Sequence, residues 1–399
     1  MNSHGASRSS RAVHFPGLNG LRFLAALTVV LYHASFSFEY AGIPQYDYIV
    51  RLNPQTGFLC VVFFFVLSGF LITYLLLAEE AETGEIYVRG FYLRRVLRIW
   101  PLYYLIVTLA FFVLPRLMPA EHPPPRLRDL VLYTVMLPNF AGVVPGAGHL
   151  WSIGVEEQFY LCWPLLLRIA RRRHLLFLGV VVGYLSVLAA VRATAPAFSA
   201  EVLLGVDRSR VDAMAIGALG GWLLFGGVQP VVRVVFSRLT QASTFVLLGA
   251  LYLRWLEPPR LTVELYEVLF MIVILNVAAN PRSLVGLRGR LFERLGKISY
   301  GIYMYHPVGL LLANVLVMRL TAIPWVFALA YYALVVTTTV SMAAVSYDVL
   351  EKPILERKLR FSRLRTGDFA DLRPTSELIR SPRSAINDEA MIAGSTDGA

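Results

Sequence analysis

The chain has 399 residues, of which 57% are hydrophobic and only 16% charged, and its mean hydropathy is +0.60. Apolar runs of about 18 or more residues, long enough for a helix to cross a bilayer, recur from Leu21 to Val349 and exclude a soluble globule. The net charge of +11 would suit nucleic acid, but the arginines gather in short loops between apolar runs, as the positive-inside bias of a polytopic membrane protein predicts, so no nucleic-acid partner is expected.

In chain order, residues 1–20 read as a polar cytoplasmic segment carrying Arg8 and Arg11. The apolar stretch that follows ends without a small-residue cleavage pattern, which predicts an uncleaved first span. Ten spans follow from hydropathy: Leu21 to Phe38, Gly57 to Ala78, Ile99 to Leu117, Leu150 to Leu167, Leu175 to Val191, Val211 to Gly227, Thr244 to Trp255, Leu261 to Ala279, Ile298 to Met318 and Trp325 to Leu350. Leu130 to Phe140 is too short for a crossing of about 20 residues and runs into the Gly/Pro-rich stretch Ala141 to Gly148. Reading it as re-entrant or interfacial puts the basic loops Arg168 to Arg173 and Arg282 to Lys297 on one side, with both termini cytoplasmic. The expected architecture is all-α, with about ten transmembrane helices over residues 21–355. Residues 356–399, rich in small and polar residues beyond Arg365, form a disordered cytoplasmic tail. Three lysines against thirty-four arginines point to a high-GC bacterial genome and hence to a bacterial inner membrane.

Polar residues inside the spans are costly and mark function. Arg22 and His33 are eleven residues apart, about three helical turns, which puts roughly 16 Å of rise between them on one face. An anchoring arginine and a hydrogen-bonded core histidine would look the same. Arg95 and Arg98 share a helical face at the start of the third span and can grip phosphoryl groups bidentately, whereas Arg94 points elsewhere and acts as an anchor. Glu156 and Glu157 lie in the outer part of the fourth span, where each buried carboxyl needs a partner or a proton. A structural ion pair with Arg208 or Arg210 competes with a proton-carrying role. Asp212 reads as a structural partner of Arg210. His306, next to Pro307, can fill a helix kink or take part in chemistry. Ser68-Gly69 reads as a close-packing site. The two cysteines, Cys60 and Cys162, each lie inside an apolar run, and neither a disulfide framework nor a metal site is expected.

Five blocks, in order, carry a resemblance. They are Phe15 to His33, Phe63 to Ile72, Arg95 to Pro101, His149 to Tyr160 and Ile298 to His306. Together they resemble the signature blocks of the membrane-bound acyltransferase-3 family, over roughly residues 15 to 355. The resemblance implies an acyl-CoA-dependent O-acyltransferase, moving an acyl group, commonly acetyl, to a hydroxyl of a glycan, a lipid-linked sugar or a small molecule. It implies that Arg22 with His33 is the family's Arg-x10-His pair, that Arg95 with Arg98 is its Arg-x-x-Arg pair, and that Glu156 rather than Glu157 is the functional acid. The family usually has Asp where this chain has Asn19.

The expected chemistry places coenzyme A phosphates on Arg22, Arg95 and Arg98. His33 acts as general base or as nucleophile, and Glu156 orients the imidazole, accepts its proton or binds the acceptor. Asn19, Glu157, Tyr160, Arg210, Asp212 and His306 are accessory candidates, and no metal is expected. A neutral imidazole is required, so activity falls at low pH. A transporter or flippase for an anionic solute would also use intramembrane His and Glu, but matching broken helices in two halves are missing. A lipid-linked-sugar glycosyltransferase is disfavoured by a first external loop with only Glu39 and Asp47 as acids.

Overall fold

The computed structural model describes residues 15, 17–40, 48–118, 123–170, 174–193, 210–256, 262–317 and 324–358. Among these the chain is helical, with no strand. Residues 1–14 of the N-terminal segment, Arg208, Arg171 to Arg173 of the basic loop and the tail beyond residue 358 lie outside the described residues. Each of the ten apolar segments is a helix or part of one. They are α1 (Leu18–Tyr40), α3 (Thr56–Thr83), α4 (Val88–Thr108), α6 (Trp151–Ile169), α7 (His174–Ala193), α8 (Val211–Phe225), α10 (Arg238–Tyr252), α11 (Thr262–Ala279), α13 (Ser299–Val317) and α14 (Pro324–Ser346). Short helices α2 (Tyr48–Leu52), α5 (Leu127–Thr134), α9 (Gln229–Val235) and α12 (Arg290–Lys297) lie between them. Through π-helical turns, Leu109–Val113 after α4 and Tyr347–Glu351 after α14, the chain continues into Leu114–Leu117 and Lys352–Lys358.

Five helices are long and apolar enough to cross a membrane, and α8 with α9, bent by 115°, makes a sixth candidate. This falls short of ten for physical reasons. Helices α8 and α10 have 15 residues each, and α6 carries Glu156, Glu157 and Arg168, charges tolerated where a helix faces protein rather than lipid.

Helix α3 is the centre of the bundle, packed against α1, α8 and α11. Its contact with α8 is set by backbone. A Cβ on Gly69 would lie 2.0 Å from the Met214 carbonyl oxygen, and one on Gly217 would lie 1.9 Å from that of Val66, so only glycine lets the two helices approach this closely. Between α4 and α6 the chain stays near the C-terminal part of α4. Tyr103 and Tyr104 donate to the carbonyls of Tyr133 and Thr134, both at 2.8 Å, and the Tyr133 ring meets Phe111 at 5.1 Å. Helix α5, eight residues long, spans about 12 Å at 1.5 Å per residue. Helix α6 then runs back antiparallel to α4, bringing Tyr160 beside Arg95.

Candidate active site

A cleft with about 710 Å³ of space opens between α1, α3, α4, α6 and α13. Arg22, Arg95 and Arg98 line it together with Ser68, Glu156, Tyr160, Ser299, Tyr300 and Tyr303, while Val61, Phe64, Phe65, Ile99 and Ile153 supply apolar wall. The Arg95 guanidinium lies over the rings of Tyr160 at 5.0 Å and Phe91 at 5.4 Å. These aromatic faces orient the cation while leaving its edge for an anion.

Glu156 is held at both oxygens. Ser68 Oγ donates to Oε1 at 2.8 Å and Tyr160 OH to Oε2 at 3.0 Å, and the charges of Arg95 and Arg22 act on it. It therefore lies on the arginine side of the site. The reason is geometric: α6 starts beside the histidines and descends toward Arg95, so its carboxylates sit a turn or more below its entry point. Glu157 does not line the cleft; its Oε2 accepts from Trp100 Nε1 at 3.3 Å.

Eleven residues beyond Arg22 on α1, His33 meets a second histidine, which in turn meets a third. Its ring centroid is 4.8 Å from that of His306, and His306 is 5.0 Å from His149. Tyr303, which lines the cleft, touches both His149 (5.4 Å) and His306 (5.6 Å) and connects the arginine end to this cluster. His306 makes the hydrogen bond expected of a residue next to a helix proline. Pro307 lacks the N–H that would bond the Tyr303 carbonyl, and His306 Nδ1 donates to that carbonyl at 2.5 Å instead. The same bond aims the rest of the ring at His33. Likewise His33 Nδ1 meets the Val29 carbonyl at 2.9 Å. A carbonyl only accepts, so Nδ1 carries the proton and Nε2 keeps a lone pair.

The other candidates stand apart from the cleft. Asn19 Nδ2 donates to Glu293 Oε2 of α12 at 2.6 Å. Arg210, with a left-handed φ of 36°, pairs with Glu267 at 3.1 Å and Asp212 at 3.9 Å and lies over the Phe58 ring at 5.2 Å. It serves these carboxylates and not Glu156 or Glu157. Arg94 bonds Glu79 at 3.2 Å, as an anchor should. Sequence reasoning missed His149, Tyr303, Ser152 and the hydrogen-bonding role of Ser68. A signal existed for one of them: His149 precedes Glu156 by seven residues, the spacing of one helical face. Among the described residues no group of three or more His, Cys, Asp or Glu could hold a metal ion.

An integral membrane protein, helical throughout its described residues, with an arginine-edged cleft beside a cluster of three histidines is the class defined so far. The chain belongs to the acyltransferase-3 family, whose profile, described as an acyltransferase domain, matches residues 15–344. It is 27% identical over 393 residues to the O-acetyltransferase OatA of Staphylococcus aureus strain NCTC 8325 / PS 47, covering 90% of this chain and 60% of that protein. It is 28% identical over 386 residues to the putative peptidoglycan O-acetyltransferase YrhL of Bacillus subtilis strain 168, covering 88% of this chain and 56% of that protein. The chain thus spans less than two thirds of the length of these relatives. No solved structure matches it significantly.

Proposed function

We propose that this protein is a membrane O-acyltransferase that moves an acetyl group from cytoplasmic acetyl-CoA to a glycan hydroxyl. The observation that carries the reading is the cleft that Arg22, Arg95 and Arg98 line together with Glu156 and Tyr303, with Tyr303 against His306 and His306 against His33 beyond it. Three guanidiniums at one end suit the phosphates of the donor. An arm running along the cleft brings the thioester to His33, about 16 Å of helix rise from Arg22. The names of the relatives, an O-acetyltransferase and a putative peptidoglycan O-acetyltransferase, support acetyl as the acyl group and a glycan as the acceptor.

His33 Nε2 takes the proton of the acceptor hydroxyl as the oxygen attacks the thioester carbonyl, and returns it to the departing thiolate. Glu156, held by Ser68 and Tyr160, places negative charge between the arginines and the imidazoles and stabilises the imidazolium as it forms. The chain crosses a bacterial inner membrane ten times with both termini cytoplasmic, and the arginine end of the cleft faces the cytoplasm.

The purified protein in detergent tests the donor side. It should bind acetyl-CoA and slowly hydrolyse the thioester, and absence of both would remove the acyltransferase reading. Mass spectrometry of cell-wall and surface glycans from deletion and complemented strains tests the acceptor side, with a loss of one acetyl mass expected on deletion.

A further inference from the structure

Three segments converge at the C-terminal end of α11, and a polar frame fixes them to one another. Asn276 Nδ2 donates to the Val235 carbonyl at 3.0 Å, Asn280 Nδ2 to that of Phe236 at 3.0 Å, and Gln241 Nε2 also to that of Phe236 at 3.1 Å. Gln241 Oε1 accepts from the Leu284 N–H at 2.8 Å, and Asn280 Oδ1 from that of Arg282 at 2.9 Å. The end of α9, the start of α10 and residues 280–284 after α11 therefore form one rigid surface. It lies at the arginine end of the bundle, because Val277 packs against Gly17 and Leu287 against Gly20, at the start of α1.

This surface is cationic and apolar at once. It carries Arg233, Arg238 and Arg282, all exposed, and among the described residues no ion pair holds any of them. No Asp or Glu occurs from Gln229 to Leu256 or from Asn280 to Phe292, so no carboxylate in these segments neutralises them. Beside them Val234, Leu239 and Leu284 are 64%, 79% and 51% exposed. In water such a patch would be a liability, whereas at the boundary between headgroups and acyl chains both kinds of side chain find their solvent. A groove with about 210 Å³ of space opens at Gln241, Asn276 and Ser283 and continues between α10 and α11, walled by Phe245, Ile272 and Val273. The positive-inside bias accounts for the arginines, but not for the exposed leucines or for a groove that is polar at its mouth and apolar along its walls.

We infer that the α9–α10 turn and the loop after α11 form a binding site for an anionic phospholipid. Its phosphate sits on Arg238 and Arg282 with Arg233 alongside, and one acyl chain lies in the groove between α10 and α11. Guanidinium forks suit the oxygens of a phosphodiester. A headgroup of net negative charge leaves that charge for the arginines, whereas a zwitterionic headgroup brings an ammonium that competes with them. The site is separate from the proposed acyl transfer and does not depend on it.

The test uses the full chain in phosphatidylcholine vesicles, with limiting phosphatidylglycerol or phosphatidylcholine carrying a diazirine on one acyl chain as the probe. On illumination the phosphatidylglycerol probe should cross-link to Phe245, Ile272 and Val273, and the phosphatidylcholine probe should do so about fivefold less or weaker still. Arg238→Gln with Arg282→Gln should cut phosphatidylglycerol labelling about 25-fold, or about fivefold for each arginine facing an anionic headgroup. The charge-matched pair Arg290→Gln with Arg294→Gln, on the exposed side of α12, should leave the yield within about twofold, because charges outside the site act only through screening solvent. Inorganic phosphate should not compete, since it has no chain to fill the groove. Equal labelling by both probes in the wild type would mean ordinary boundary lipid, and equal loss in both double variants would mean diffuse attraction. Either result overturns the site, as does displacement of the probe by inorganic phosphate.

Discussion

Asn19 Nδ2 donates to Glu293 Oε2 at 2.6 Å, tying the first turn of α1 to the amphipathic α12. Gly296 of α12 packs so tightly there that a Cβ on it would lie 2.3 Å from the Asn19 carbonyl oxygen. The bond sits three residues before Arg22, so it fixes the end of α1 that presents this arginine to the cleft. An amide can donate to a carboxylate; an aspartate could only oppose it.

Restoring the family's usual acid should therefore harm this chain. Asn19→Asp is expected to lower thermal stability in detergent and acetyl-CoA affinity together, since a hydrogen bond to a charged group is worth about 1.5–3 kcal/mol. The double variant Asn19→Asp with Glu293→Gln, which reverses donor and acceptor, should restore both. Thermal unfolding and donor binding measured on the three proteins check this, and a single Asn19→Asp variant as stable as the wild type would disprove it.

His33→Ala should abolish transfer while expression and membrane insertion stay near the wild-type level, because removing a polar group from a span does not hinder insertion. A positioned general base contributes about 100-fold to 10,000-fold, and the loss should fall in that range. Turnover at the wild-type rate would take His33 out of the mechanism.

The arginine pair separates by its surroundings. Arg95→Ala and Arg98→Ala should each weaken acetyl-CoA binding by about 1.5–3 kcal/mol, the worth of charge-assisted bonds to phosphate. Lysine should recover part of this at position 98. It should recover less at position 95, where the guanidinium lies over Tyr160 and Phe91 and a point charge has no planar face to stack. Isothermal titration with acetyl-CoA measures all four variants, and unchanged affinity in both alanine variants would make the pair a topological signal alone.

These variants also show what the sequence could and could not convey. The ten helical segments were legible because each is an apolar run with no charge to break it over most of its length. Their ends were less so. Helix α4 begins at Val88, well before the apolar run at Ile99, because Arg95 and Arg98 are helical residues turned into a cleft, and hydropathy scores them as loop. Arg22, Arg95, Arg98 and Glu156 line one cleft, and His33 lies beyond it against His306, but no sequence pattern could bring His149 and His306 to His33. Those three rings come from α1, the entry to α6 and α13, and only tertiary packing aligns them. Asn19 was visible as a departure, but its partner Glu293 lies on a helix that periodicity alone did not connect to it.

The remaining prediction concerns topology. Tyr103 and Tyr104 of α4 hold the Tyr133 and Thr134 carbonyls, so the chain from α4 to α6 turns back without travelling the length of the bundle. With the arginine end of the cleft in the cytoplasm, Val143, 89% exposed on that connection, lies outside, and Arg168, exposed near the end of α6, lies inside. In a chain whose Cys60 and Cys162 are replaced by alanine, Val143→Cys should react with a membrane-impermeant maleimide in intact cells, and Arg168→Cys only after the membrane is opened. This arrangement keeps the loop that follows Arg168 on the same side as Arg22 and the α12 arginines, as the positive-inside bias requires. The reverse labelling pattern would mean that the Leu127–Thr134 region crosses after all, and then the His149 end of α6 would open toward the cytoplasm and the acceptor would have to enter from there.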